Sequence, residues 1–450
     1  MLIDSDEAIV GLMARHVLHG EFPVFYWGQH YMGTLEVFVN AFLFLLIGAT
    51  PLALKLSAML WFAAFVVVHY YLALAVTDRR TASMATILIA VSPAFLTVWT
   101  MKSRGGYMAL LLFGSLALLL AARLLDSGYT RKVGALLGLV LGLAWWSHFL
   151  ALLYIVPVAV ALLLKDERKL LKSGTAAALA GGFLAGSLPV WLYNLSHHWA
   201  SFGASESVRQ TGIVADQRAF FQTALPIVLG WRRNWNRDDL FWHAGLVAIG
   251  LVLVCFTVLA ARSFWKTSPE ELSAKHLLLI FAFGYPLLFS CSGFAWFVDE
   301  PRYLLPAYSC LFILLLLWPK RQVARFALFG LLLATCIAGN LRTSQQELVG
   351  WKNYETNDDL IRYLRENKIN RVFAPYWVAY RLTFESDEEV ICTPLPGELC
   401  RYEPHERMVK NSKNAVYVLL NLPGQPAAED PGVLLRKIGN YQVYGTSSAH

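Results

Sequence analysis

The sequence predicts a polytopic α-helical membrane protein of about ten spans, with interfacial helices in a first outer loop and a small C-terminal α/β domain. Three observations lead there. Of 450 residues, 57% are hydrophobic and 15% charged, whereas a soluble domain carries about 25% charged residues, so water is not the only solvent this chain meets. The apolar residues gather in runs of about 18 or more, the length that carries a helix across roughly 30 Å of hydrocarbon. From about Lys352 the composition turns mixed and charged, as a water-exposed domain requires. The formal charge of +7 is spread over loops. It nowhere forms a basic patch interleaved with aromatics, which argues against nucleic acid as a partner and leaves membrane lipids as one.

Residues 1–50 form the first loop. Ile9, Leu12, Met13, Val17 and Leu18 recur at helical spacing behind Asp4, Asp6 and Glu7, which makes a short amphipathic helix with three carboxylates at its N-terminal end. Residues 34–49 are apolar but short and run into Gly-Ala-Thr before Pro51, which suits a helix lying at the interface. Candidate spans follow near 51–76, 82–99, 107–125, 133–147, 150–164, 175–194, 241–262, 276–294, 303–318 and 326–343, within a membrane unit of residues 51–344. Alternate loops carry Arg79 and Arg80, Arg131 and Lys132, the KDERKLLK stretch from Lys165, Arg262 to Lys275, and Lys320 to Arg325. The positive-inside bias assigns these to the cytoplasm. Residues 1–50, the 195–240 segment, the turn at Asp299 to Arg302 and the C-terminal domain of residues 345–450 then face outward. With an outward start and no apolar run before it, the chain reads as missing a first helix, through a late start or a shortened sequence, unless the short tail is translocated behind residues 51–76.

In the C-terminal domain, Thr356 or Asn357 caps a helix through Asn367, and RVFAPYW, EEVICTPL, NAVYVLLNL and NYQVYGT read as strands. Four of the six cysteines lie in apolar runs. Cys392 and Cys400 are left to form a disulfide in an oxidising compartment, or to stay as two thiols.

The acids of the first loop have two readings. Asp4, Asp6 and Glu7 cap a helix and complement its dipole, or one of them takes a proton from an acceptor hydroxyl at a membrane-facing cleft. Glu36, at the start of the interfacial helix, either caps it or orients an acceptor; Gln29, His30 and Tyr31 rank below the acids. Outward-facing cations run against the positive-inside bias and suit a phosphate. They are Lys102 and Arg104 in MKSRGGY, ahead of Tyr107; Arg232, Arg233 and Arg237 in GWRRNWNRDD; and Arg302 before Tyr303 in RYLLP. Snorkelling, or pairing with Asp238, Asp239 and Glu300, is the plainer explanation of each. Gly105 and Gly106 would let backbone approach an anion. His148, in the turn WSHFL, is a candidate for proton transfer or phosphate binding. No His/Asp/Glu set shows metal-ligand spacing along the sequence, so neither a metal nor another cofactor is expected.

The run DSDEAIVGLMARHVLHGEFP followed by YWGQHYMGTLE resembles the first outer loop of the GT-C superfamily, in the family 39 branch of protein O-mannosyltransferases and lipid A aminoarabinose transferases, bacterial members above all. The resemblance covers residues 1 to about 345 as an architecture, and its specific motifs are that loop, the RGGY turn and RYLLP. It implies a glycosyltransferase that moves a sugar from a polyprenyl-phosphate donor to a lipid, glycan or protein hydroxyl on the outer face of a cytoplasmic membrane, in envelope assembly. It also implies that Asp6 is catalytic, with Asp4 the fallback, and that a bound cation is not generally needed. The alternative is a transporter or flippase of lipid-linked sugars, but the spans hold almost none of the midplane ionisable residues such a protein keeps, Lys55 and His69 being the main exceptions. No internal repeat favours it either.

Overall fold

The computed structural model describes residues 3–203, 212–233, 239–240, 244–265, 267–292, 301–351, 357–420 and 432–445. In the first loop, α1 (Ser5–Leu18) is followed by a hairpin of β1 (Phe25–Tyr26) and β2 (Gln29–Gly33), then by α2 (Leu35–Ile47). The helices α3 (Pro51–Val76), α4 (Arg79–Val91), α5 (Ala94–Thr100), α6 (Tyr107–Ser127), α7 (Arg131–Ser147), α8 (Leu152–Lys172), α9 (Thr175–Gly186) and α10 (Leu188–Ser196) come next. Beyond them lie α11 (Ile213–Ala219), α12 (Leu225–Val228), α13 (Ala244–Phe264), α14 (Ala274–Ser290), a 3-10 stretch at Pro301–Ser309, α15 (Leu311–Leu317) and α16 (Gln322–Trp351).

Against about ten expected spans, four helical stretches of the described residues are long and apolar enough to cross a membrane: Pro51–Val76, Tyr107–Ser127, Phe149–Lys172 and Gln322–Ser344. The count reaches six when two bent pairs are each taken as one span. The bends have a covalent cause. The run expected at 82–99 breaks by 69° between α4 and α5, where Pro93 lacks an N–H and disfavours helical backbone before it, and Ser92 adopts φ +60°. The run at 175–194 bends by 61° between α9 and α10, at Ser187 just before Leu188-Pro189. The tight turn Ser147-His148-Phe149 is real, and a 3-10 turn at Phe149–Ala151 carries the chain from α7 into α8. Helix α8 runs past the expected end at residue 164 to Lys172, with a break in helical geometry at Asp166.

One helix pair shows how small residues drive packing where hydrophobic burial gives lipid-immersed helices no preference for each other. A β-carbon added to Gly138 or Gly142 of α7 would lie 2.0 Å from the Leu179 carbonyl oxygen or 2.4 Å from that of Phe183, on α9. One added to Gly182 or Gly186 of α9 would lie 2.1 or 2.3 Å from carbonyl oxygens of α7. The backbones therefore touch through four glycines. Gly138→Leu is expected to destabilise the protein by about 1–3 kcal/mol or more. Its thermal midpoint in detergent should fall well below that of Gly330→Leu, a site with nothing within 4 Å of an added β-carbon.

The C-terminal domain holds α17 (Asp358–Glu366), β3 (Arg371–Ala374), α18 (Tyr376–Glu385), β4 (Ile391–Pro394), α19 (Glu403–Lys410), β5 (Val416–Leu420), β6 (Val433–Ile438) and β7 (Tyr441–Gly445). Its sheet runs β4-β3-β5-β7-β6, parallel across the first three strands and antiparallel across the last two pairs. Each of the four strands expected from sequence contains an observed one. Tyr376 and Trp377, read as strand, instead open α18 behind Pro375. Strand β6 was not foreseen; five of its six residues are exposed. Cys392 is buried in β4, and Cys392 and Cys400 are two free thiols. The domain sits on α1: Ser5 Oγ donates to the Tyr376 carbonyl at 2.6 Å, and Arg15 donates to the Phe384 carbonyl at 3.0 Å and to Asp387 at 2.6 Å.

Candidate active site

A cavity of about 370 Å³ opens where the first loop, the 102–107 turn, the 302–303 segment and the C-terminal domain meet. It is lined by Asp6, Tyr26, Gln29, Met32, Arg104, Tyr107, Arg302, Tyr303, Tyr376, Trp377, Glu398, Leu399 and Arg401. Helix α1 sets Asp6 in its first turn, at the positive end of the helix dipole. The Tyr376 phenol donates to Asp6 Oδ1 at 2.6 Å, and the Tyr26 phenol donates to the Asp6 backbone carbonyl at 2.9 Å. Arg401 Nε lies 3.5 Å from the Tyr376 oxygen. One Asp6 carboxylate oxygen is thus held from across the cavity by a residue of the C-terminal domain.

Asp4 is differently employed. It caps α1 through the Glu7 N–H at 3.1 Å, and Glu7 closes the capping box at the Asp4 N–H. It also accepts from Lys102 Nζ at 2.8 Å and from Arg104 Nε at 3.0 Å. Burial alone would raise the Asp4 carboxyl, but the charges of Arg104 and Lys102 outweigh it and hold the group well below the usual carboxylate range.

Glu7 is buried against the Lys55 ammonium. Its carboxyl is pushed up by burial and then by Asp4, against the pull of Lys55. The cavity thus takes six of the residues singled out in the sequence, namely Asp6, Gln29, Arg104, Tyr107, Arg302 and Tyr303. Asp4, Glu7, Lys102, Glu36, His148, Arg232 and Arg233 are not among its lining. Arg232 pairs instead with Asp239 at 2.6 Å. Arg237, Asp238, Asp299 and Glu300 lie outside the described residues.

His148 is fully buried, and its Nδ1 accepts the Leu150 N–H at 3.0 Å, capping the 3-10 turn. Burial, then the Arg302 charge, pushes its imidazole down to about 3, so the ring is neutral near pH 7. Gly105 and Gly106 allow close packing: a β-carbon on Gly106 would lie 1.9 Å from the Ser147 carbonyl oxygen, and one on Gly105, at φ +90°, would meet Met32 at 2.7 Å.

Glu36 accepts from Ser103 Oγ at 2.9 Å, and Asn40 donates to both that hydroxyl and the Glu36 carbonyl. Burial raises its carboxyl from 4.5 to about 8, although Ser103 and the Gly105 N–H pull it down. The unfolded chain gives up this proton first, so stability is greatest below about pH 4.5 and falls as pH rises towards 8. Glu36→Gln is expected to remove that component, on the order of a few kcal/mol. Thermal midpoints at pH 5.5, 7 and 8.5 should therefore decline less in the variant than in the parent.

Tyr26 opens the YWGQHYMGTLE run but is not distinguished there from an interfacial aromatic, and nothing in the sequence around Tyr376 and Arg401 marks a site. Among the described residues, three potential metal ligands also converge away from the cavity, at His16, Glu388 and His405. Spacing along the chain does not show this grouping, which only folding brings together.

No family model and no curated protein matches this sequence. Among solved structures, ArnT of Cupriavidus metallidurans, a lipid A aminoarabinose transferase, superimposes with a TM-score of 0.66 at 13% identity, covering 98% of this chain and 93% of that one. The same protein bound to undecaprenyl phosphate gives 0.67 at 14% identity, over 99% and 94%. The Archaeoglobus fulgidus oligosaccharyltransferase tethered to an acceptor peptide gives 0.52 at 13% identity, over 91% of this chain and 64% of that one. These neighbours are GT-C superfamily membrane glycosyltransferases, and this chain shares their fold.

Proposed function

We propose that this chain, built on the fold of the GT-C membrane glycosyltransferases, transfers a sugar from a polyprenyl-phosphate donor to a hydroxyl acceptor, with the cavity at Asp6 as its active site. The observation that carries this reading is a carboxylate fixed by a phenol in a polar cavity whose other walls bear Arg104, Arg302 and Arg401. In the reaction the acceptor hydroxyl gives its proton to the Asp6 oxygen that Tyr376 leaves open. The acceptor oxygen bonds to the anomeric carbon as the bond from that carbon to the phosphate oxygen breaks. Its electron pair leaves with polyprenyl phosphate, whose growing charge the arginines meet. A single displacement inverts the anomeric carbon. The solved structure of ArnT with undecaprenyl phosphate supports a donor of this class.

We assign the cavity and the C-terminal domain to the outer face of the cytoplasmic membrane, from the basic loops on the other side. The acceptor is a lipid, a glycan or a protein of the envelope.

The test is transfer in proteoliposomes loaded with a polyprenyl phosphate carrying a radiolabelled sugar and offered envelope lipids, glycans or proteins. Label bonded to an acceptor, with release of polyprenyl phosphate, is expected. Movement of the intact lipid-linked sugar between leaflets, with no bond broken, would replace this reading with a transporter.

A further inference from the structure

At the far end of α1 from Asp6, His16, Glu388 and His405 place one potential ligand atom each within 4.8 Å of one another. We propose that these three side chains bind a divalent cation of the zinc class, which fastens the C-terminal domain to the helix that carries Asp6. Two imidazoles and a carboxylate are a zinc donor set with a fourth position left for water. Ligand atoms about 2.0–2.2 Å from a tetrahedral metal stand roughly 3.4 Å apart. The spacings here are close to that: His16 Nε2 is 3.3 Å and His405 Nε2 is 4.0 Å from the same Glu388 oxygen. Small side-chain rotations would close the set.

Three surroundings fit a metal better than a simple ion pair. Behind His16, Glu21 Oε2 sits 2.9 Å from Nδ1, the carboxylate–imidazole arrangement that orients a metal-bound histidine. His405 is 4% exposed, and its Nδ1 is buried with no hydrogen-bond partner among the described residues. A cation on Nε2 would give this buried ring a polar partner nearer than the Glu388 oxygen 4.0 Å away. Trp27 and Tyr402 stack at 3.8 Å and set their edges or faces against both imidazoles, at 5.0 Å from Trp27 to His16 and 4.7 Å from Tyr402 to His405. Arg15, the cation already present, is 3.9 Å from the other Glu388 oxygen and leaves the shared one to the metal.

The ligands come from α1, from the turn after α18 and from α19, and none of them lines the cavity, so the metal would tie loop and domain outside it. The proposal does not depend on the activity assigned to that cavity.

The test uses the purified full chain, stripped with a chelator and titrated with zinc against a chromophoric competitor, with thermal midpoints measured in parallel. One tightly bound equivalent that raises the midpoint is expected. His405→Ala and Glu388→Gln should each lose that equivalent while keeping the parent's elution profile and far-UV circular dichroism. Glu21→Gln should weaken binding by about 10–100-fold. A parent that takes up no zinc would overturn the proposal, as would variants that bind it as tightly as the parent; weak binding at the exposed His197 and His198 would persist in all of them.

Discussion

Asp6→Asn is expected to slow sugar transfer by about 100-fold to 10,000-fold, the loss typical of removing a general base. The substitution is nearly isosteric, and the amide oxygen of asparagine can still accept from the Tyr376 phenol 2.6 Å away. It cannot take a proton from an acceptor. Initial rates should therefore fall at saturating donor and acceptor, while affinity for polyprenyl phosphate, set by the arginines, stays near that of the parent. A loss smaller than about tenfold would remove Asp6 from the role of base. Asp4 could not inherit the role without first giving up its cap on α1 and its two cations.

Lys55→Met should give the largest loss of stability, about 3–5 kcal/mol, because it strips the buried Glu7 carboxylate of its ion-pair partner and leaves only the more distant charges of Lys102 and Arg104. Glu7 is 1% and Lys55 7% exposed. With the ammonium gone, the folded-state pKa of Glu7, already raised by burial, rises further above its unfolded value. The deficit is then smallest in acid, where both states hold the proton, and grows as pH increases. Thermal midpoints of Lys55→Met between pH 5 and 8 should show this widening gap. The double variant Glu7→Gln with Lys55→Met should recover most of the loss, since a hydrogen-bonding amide tolerates burial better than a lone charge. A single variant as stable as the parent at pH 8 would show that the pair contributes little.

The sequence carried the local part of this structure well. Apolar runs, the acidic start of α1, the short helix before Pro51 and the strands of the C-terminal domain all leave signals within a few residues. The two sharp bends also have a local signal, Pro93 and Pro189 inside the apolar runs 82–99 and 175–194. What could not be seen was partnership. Asp6 meets Tyr376, Glu7 meets Lys55 and Glu36 meets Ser103 across separations that a single sequence does not encode as a pattern. Lys55 was noted as an oddity in a span, and its reason lies in a different element. Strand β6 escaped notice because its residues are mostly exposed and so show no alternation.

The contacts between α1 and the C-terminal domain also set an order of events during synthesis. Residues 5–18 leave the ribosome first, yet the tyrosine that orients Asp6 and the arginine beside it belong to segments made near the end, at positions 376 and 401. Domains fold in the order they emerge, and contacts this distant along the chain form late. A nascent chain with every membrane helix in place would still lack one wall of the cavity at Asp6. If the cavity is the active site proposed above, newly made copies stay silent until translation is complete, and a truncated product occupies the bilayer without spending donor lipid.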